Sequence, residues 1–381
     1  MTDPTAAEMI ARARALAPRL AARAANCERL RHCPDETVAD FISAGLNHCM
    51  QPRRYGGLAL GWNTLVEMAL ELGQGCASQA WVLSIYGDHA QWVGTFPREA
   101  QDDVWGADPD ALICTFYAPF GQARRVPGGY VVSGRWPFAS GVDHATWLNA
   151  GAMLDGRHVM LLAPKSAATI VDDWHVAGLA GSGSKTFVFD EVFVPAHRMI
   201  DEEDFGEGRA PGSRIDDAPV YRYPRRTTAD LAGVLVGAAM GMLEEFCALA
   251  RDRSRRGRRA SADEVTGIAI AETAAELDCA RWLLVDSTRA MMDIVARGET
   301  PPLERRLVNR RNQASATAMA CRAAERIFSA AGGNALYLSG RLQRLFRDIH
   351  AGASHFSLSF DNAAAPYGQY RLGLEPNRGA F

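Results

Sequence analysis

The stretch Gly129-Tyr-Val-Val-Ser-Gly-Arg-Trp-Pro-Phe-Ala-Ser-Gly141 decides the reading of this chain. It begins at Gly128-Gly129, a dipeptide suited to a tight hairpin turn. β-Branched and aromatic residues follow, as a half-buried strand requires. Similar short runs surround it: LICTFYA (112–118), WLNAGAML (147–154), HVMLLAP (158–164) and FVFDEVFVP (187–195). Gly, Pro, Asp and Ser separate them at turn-like intervals. From about Ala111 to Ile200 the pattern predicts a small antiparallel β-domain.

Outward from this core the period changes. Before it, Met9, Ala13, Leu16 and Leu20 recur at helical spacing. Pro34-Asp35-Glu36 opens a second helix ending near Gly45. Asn63 and Ser78 are expected to cap two more. After a polar, Pro- and Gly-rich connection at 201–225, helices are expected at about 227–251, 262–297, 302–331 and from Leu338. Gly233, Gly237 and Gly241 share one helix face, which predicts close helix approach there. The expected organisation is α+β and mostly helical. A helical domain (1–108) precedes a β-domain with its following loop (109–215), and a C-terminal four-helix bundle (216–381) closes the chain.

Bulk properties exclude several classes. A net charge of −3 argues against a nucleic-acid binder, which needs a strong positive excess. The eight cysteines are scattered without a C-x-x-C pair, so neither a zinc site nor a disulfide framework is expected. The apolar run Leu231 to Leu243 is too short to span a bilayer. The N-terminus carries acids where a signal peptide needs an apolar stretch. A soluble, cytoplasmic protein with no membrane partner is expected. GSGSKT (181–186) lacks the Gly before Lys that a phosphate loop requires. No dinucleotide-binding, zinc-protease or serine-hydrolase signature is found.

Three stretches carry a resemblance. The first is Gly129 to Gly141 with Ala145-Thr-Trp147. The second is Gly178-Leu-Ala-Gly-Ser-Gly-Ser-Lys185 with Phe189-Asp-Glu-Val-Phe-Val-Pro195. The third is Ala331-Gly-Gly333, Leu342-Gln-Arg-Leu-Phe-Arg-Asp348 and His355. Upstream, Gly45-Leu46, Pro52 and Tyr55-Gly-Gly57 add to it. In this order they resemble the acyl-CoA dehydrogenase superfamily. Within it they are similar to the two-component flavin-dependent monooxygenases, with oxygenase components of the p-hydroxyphenylacetate hydroxylase type.

The resemblance implies reduced FMN or FAD as cofactor, delivered by a separate NAD(P)H-flavin reductase. It also implies O2 as co-substrate, a small aromatic substrate and a homotetramer. A dehydrogenase would need a carboxylate base, yet no glutamate lies between Glu325 and Glu375. Glu244 and Glu245 are the distant alternative. In the resembling hydroxylases a C-terminal histidine deprotonates the phenol, which then attacks a flavin C4a-hydroperoxide. That role falls to His355, with His350 as rival; imidazole titrates near the working pH. Without the resemblance, a lone histidine at either position is more often structural than catalytic.

Ser140, of the Ser-Gly141 pair, is expected near flavin N5, or else is a turn serine. Trp136 and Phe138 are expected to flank the ring. Thr115, Tyr117 and Ala118 should offer contacts to its pyrimidine side. His89 is expected either in the pocket or in the core between Trp81, Ile85 and Trp92. Phosphate contacts are expected from Ser182, Ser184, Lys185 and the Arg251, Arg253, Arg255 group, unless the latter is a solvated helix end. Oxygenation at nitrogen or sulfur, acyl-CoA dehydrogenation and flavin binding without turnover are the competing functions.

Overall fold

The computed structural model describes residues 3–215, 218–224, 229–252, 254–255, 258–259 and 264–376. Five helices lead: α1 (Ala6–Leu30), α2 (Asp35–Ser43), α3 (Trp62–Gly73), α4 (Ala77–Gly94) and α5 (Arg98–Trp105). Seven strands follow: β1 (Ile113–Val126), β2 (Gly129–Ala139), β3 (Trp147–Leu154), β4 (Arg157–Pro164), β5 (Thr169–Val171), β6 (Lys185–Pro195) and β7 (Met199–Asp201). A short α6 (Glu202–Gly206) leads to α7 (Ala229–Asp252), α8 (Glu264–Ala296), α9 (Leu303–Ala331), α10 (Arg341–Ala353) and α11 (Phe360–Arg371). The sequence pattern ran α10 and α11 together; a 3-10 turn at Phe356–Leu358 separates them.

The strands form one sheet in the order β5-β6-β2-β1-β3-β4-β7. The sheet is mixed rather than antiparallel throughout. β1 and β3 run parallel because β2 returns along one edge of β1 and the chain then crosses to its other edge. Strand-pattern reading finds strands but not their partners. Two irregularities shape the sheet near the functional face. Four residues of β1, Tyr117 to Phe120, stand opposite Gly151 alone, between the Phe116–Ala150 and Gly121–Ala152 pairs. Between the Trp136–Phe187 and Ala139–Lys185 pairs of β2 and β6, register also shifts. Extra residues of this kind re-aim the side chains beyond them.

Helices from both ends of the chain share one hydrophobic core. α7 is long and apolar enough by composition to cross a membrane, and here it is the central, mostly buried helix of that core. Its glycines face α3. A methyl group on Gly237 would lie 2.2 Å from the Leu70 carbonyl oxygen, and one on Gly241 would lie 2.3 Å from that of Gln74. Only glycine admits two helix backbones this close.

The Arg344–Arg347–Asp348 cluster on α10 latches the parts together. Arg344 Nε donates to Glu28 Oε2 on α1 at 2.7 Å, and Arg347 reaches the same carboxylate and the Ala177 carbonyl. Asp348 Oδ1 accepts the Leu179 N–H at 2.7 Å, and Ser78 Oγ on α4 lies 3.4 Å from Oδ2. Burial pushes the Asp348 carboxyl up to about 6, against the hydrogen bond from Leu179, which lowers it. The latch holds the Gly178–Ser184 loop against both helical regions, and that loop supports the site.

Candidate active site

α4 runs through the middle of the molecule, and all of its residues are buried. From it Trp81 reaches two groups that are far apart in sequence. Its Nε1–H donates to Ser140 Oγ at 3.1 Å. The edge of its ring meets His355, with centroids 5.9 Å apart and planes at 64°. A single rigid indole therefore joins the serine after β2 to the imidazole after α10.

Ser140 sits where the chain turns sharply. Gly141 has φ +74, a backbone conformation that disfavours side chains, and a methyl there would meet the Tyr86 hydroxyl at 2.8 Å. Tyr86 OH donates to the Gly141 carbonyl at 2.7 Å, and the Gly141 N–H donates to the Ser182 carbonyl at 2.9 Å. These contacts hold Ser140 beside the 178–184 loop. Its hydroxyl lies 2.7 Å from Ser184 Oγ, which lies 2.7 Å from Ser182 Oγ. Ser182 Oγ donates to the Leu179 carbonyl at 2.7 Å.

His355 caps the 3-10 turn that follows α10. Its Nδ1 accepts the Ser357 N–H at 3.2 Å. A neutral ring with that contact carries its proton on Nε2. The residue is exposed, in contrast to the buried Ser140.

On the sheet face toward α4, Thr115 and Asn149 are register partners on β1 and β3. Thr115 Oγ1 and both polar atoms of the Asn149 side chain are buried without a hydrogen-bond partner in the protein. Leaving such groups unmet costs about 1–3 kcal/mol each, so a polar ligand edge there would relieve a real penalty. His89 Nδ1 lies 3.1 Å from the Ile113 carbonyl, and its ring meets Trp92 edge-on at 5.9 Å. It is thus fixed at the seam between α4 and β1. The Tyr117 carbonyl accepts from His158 Nε2 at 2.8 Å, its hydroxyl bonds Glu202, and Ala118 lies in the extra loop of β1.

Comparison with known proteins now bears on this geometry. Residues 4–107 match the acyl-CoA dehydrogenase N-terminal domain and residues 230–360 match the acyl-CoA dehydrogenase C-terminal domain. The flavin-dependent monooxygenase oxygenase subunit HsaA of Mycobacterium tuberculosis is 36% identical over 371 residues, 95% of this chain and 94% of that protein. The chain belongs to the acyl-CoA dehydrogenase superfamily, in its branch of flavin-dependent monooxygenase oxygenases. The oxygenase component of the FADH2-dependent resorcinol hydroxylase of a Rhizobium species is likewise 36% identical, covering 97% of this chain and 95% of its own. The crystal structure of the 3-HSA hydroxylase from Rhodococcus sp. RHA1 superposes with a TM-score of 0.94 at 33% identity, covering 98% and 99% of the two chains. This oxygenase is therefore an enzyme that uses reduced flavin, and both the fold and the functional class implied by the sequence resemblance hold.

The structure does not bring every expected residue of the oxygenase to the site. Trp136 and Phe138 should share a face in a regular strand. The irregularity in β2 separates them. Trp136 is fully buried in the sheet core, stacked on Phe187 at 4.9 Å, with its Nε1–H on the Gly151 carbonyl. It is a core residue, not a wall of the site. Phe138 has φ +57 and is 64% exposed, turned outward against the edge of Trp174.

Lys185 is drawn into ion pairs with Asp143 at 2.5 Å and Asp172 at 3.9 Å. Its charge is answered internally, which corrects its assignment to phosphate. Ser182 and Ser184 are likewise buried and bonded to each other rather than presented to a phosphate. Arg253 lies outside the described residues. His350 turns toward α9: Nδ1 faces the Phe346 carbonyl at 2.8 Å, and Nε2 lies 3.3 Å from Glu325 Oε1. Glu245 pairs with Arg341 at 3.3 Å and Glu244 is exposed, so neither is placed as a buried base.

Two contributors escaped sequence reading. Trp81 looked like one more core aromatic, because a helix buried on all sides has no apolar face to point with. Asn149 left a usable signal: it is the lone strongly polar residue in the apolar strand WLNAGAML. Among the described residues, His32, Asp35 and His144 also cluster, and the 2.8 Å bond from His144 Nε2 to Asp35 accounts for that group.

Proposed function

We propose that this oxygenase takes reduced FMN or FAD from a separate NAD(P)H-flavin reductase and, with O2, hydroxylates a phenol or another electron-rich aromatic ring in the cytoplasm. The observation that carries this reading is the Trp81 bridge: one indole contacts both a serine hydroxyl, through its N–H, and an imidazole, through its ring. Reduced flavin, when bound, supplies the electrons that activate dioxygen. The protein's part is to bind, to orient and to manage protons. Ser140 contacts the flavin edge, while Thr115 Oγ1 and the Asn149 amide fit the alternating donors and acceptors of its pyrimidine ring. Those three atoms of Thr115 and Asn149 are the buried orphans, and the group fits them.

His355 acts on the substrate. The Ser357 contact leaves the proton of the neutral ring on Nε2, so His355 holds a phenolate oxygen through Nε2–H. The phenolic proton passes to solvent, which reaches this exposed turn. This refines the expectation of direct proton abstraction: a base acting through Nε2 would need the other tautomer, which sets Nδ1–H against Ser357 N–H. Turnover of a phenol panel against pH tests the reading. His355→Ala should move the rise in activity to higher pH, and His355→Gln, which keeps an N–H donor, should recover part of the loss. Equal profiles for all three would end the assignment.

The exposed apolar residues Val265, Ile268 and Trp282 on α8, and Leu336, Tyr337 and Leu338 before α10, support a homotetramer built through the C-terminal helices. Sedimentation equilibrium checks this directly: a monomer at micromolar concentration would refute it.

A further inference from the structure

The hydroxyl chain beside Ser140 has a direction, and its two ends determine it. An indole N–H can only donate and a backbone carbonyl can only accept. Ser182 uses its single proton on the Leu179 carbonyl. The 2.7 Å contact between Ser182 and Ser184 must then be donated by Ser184. That leaves Ser184 without a proton for Ser140, so the next 2.7 Å contact is donated by Ser140. Trp81 Nε1–H occupies one Ser140 lone pair. The whole run reads Trp81 N–H to Ser140 to Ser184 to Ser182 to Leu179 C=O, with one proton per link and none to spare. Ser140 keeps one lone pair and has no proton left to offer a further partner.

This bears on which redox form of the cofactor the site accepts. Reduced flavin carries a hydrogen on N5 and donates there; oxidised flavin has a bare N5 and accepts. We propose that Ser184 and Ser182 are positioning residues that lock Ser140 as a hydrogen-bond acceptor, so that the site selects reduced over oxidised flavin, while Trp81 holds the Ser140 oxygen in place. The proposal rests on the reading above that Ser140 contacts the flavin edge. An acceptor meets the N5–H of the reduced form and opposes the N5 lone pair of the oxidised form. An oxygenase supplied by a separate reductase gains from this bias: it captures the reduced carrier and releases the spent one. Burial makes the lock effective, since Ser140, Ser182 and Ser184 are all less than 9% exposed and water cannot easily lend a substitute proton.

The test measures dissociation constants of oxidised and dithionite-reduced FMN and FAD under anaerobic conditions. Wild type should bind the reduced form more tightly. Ser184→Ala removes the acceptor for the Ser140 proton, which can then turn toward a bare N5. The oxidised-to-reduced ratio of dissociation constants should fall about tenfold, the effect of one misdirected buried hydrogen bond. Ser182→Ala, which frees the same chain from its other end, should lower the ratio likewise and serves if Ser184→Ala does not fold. Adding Ser140→Ala to either should abolish the difference between them. A ratio unchanged in a Ser184→Ala or Ser182→Ala protein that still binds reduced flavin overturns the proposal alone. Wild type that binds neither FMN nor FAD in either form overturns the proposal and the reading beneath it.

Discussion

The two sides of Trp81 are built on opposite principles. Toward Ser140 everything is buried, every hydroxyl is paired and the direction of each hydrogen bond is forced. Toward His355 the contact is an edge-on ring at 5.9 Å, on an exposed turn where His355 Nδ1 accepts the Ser357 N–H. Burial makes hydrogen-bond direction expensive to change, which suits discrimination between two states of one cofactor. Exposure lets a side chain adapt to a substrate and lets the substrate's proton leave to water, which suits holding a phenolate. One indole keeps the two at a constant separation.

Breaking the exposed side should have the largest effect. His355→Ala should reduce turnover of a phenol near neutral pH by about 100-fold, the scale of a lost hydrogen bond to a charged phenolate, with flavin binding intact. Steady-state rates and flavin titration together check it. If flavin binding fell in proportion, the two sides would not be separable.

The latch behind the buried side offers a pH test. Asp348 is raised from 3.8 to about 6, so the folded protein holds its proton over a range where the unfolded chain has lost it. Stability should therefore fall as pH rises from about 4 through 6, by about 3 kcal/mol if this carboxyl acts alone. Asp348→Asn keeps an acceptor for Leu179 N–H without the charge and should flatten that slope. Urea unfolding at pH 4 and pH 7 measures it; parallel slopes in both proteins would assign the effect elsewhere.

Trp81→Phe sharpens the comparison further. It removes a donor to Ser140, but the chain is still oriented from its Leu179 end. Both flavin forms should weaken alike, by about fivefold, with their ratio unchanged. Anaerobic titration of both forms distinguishes this outcome from the loss of discrimination expected on breaking the chain at Ser184. The smallest effect is expected at His350, whose partner is the exposed Glu325. His350→Ala should change turnover by about twofold at most, because surface ion pairs contribute little.

Much of this was legible in the residues. The helix–strand–helix order and the helix contact at Gly237 and Gly241 followed from local patterns, and the proposed roles of Ser140 and His355 came from the family resemblance. Trp136 and Phe138 show where local patterns stop. They are two apart in sequence and belong on one face, yet an irregular pairing with β6 sends one into the core and the other into solvent. Lys185 was plausible as a phosphate ligand until Asp143 and Asp172, from other segments, were found against it.

The amino-acid sequence determined the fold class from spacing and residue type, which are local properties, and its resemblance to a family marked the absent glutamate and the histidine in its region. Only the tertiary structure decided which histidine shares a wall with Ser140, which aromatic joins them and which way the serine hydroxyls point. Those depend on how segments from α4, the 178–184 loop and the end of α10 meet, and hydrogen-bond direction exists only once both partners are in place.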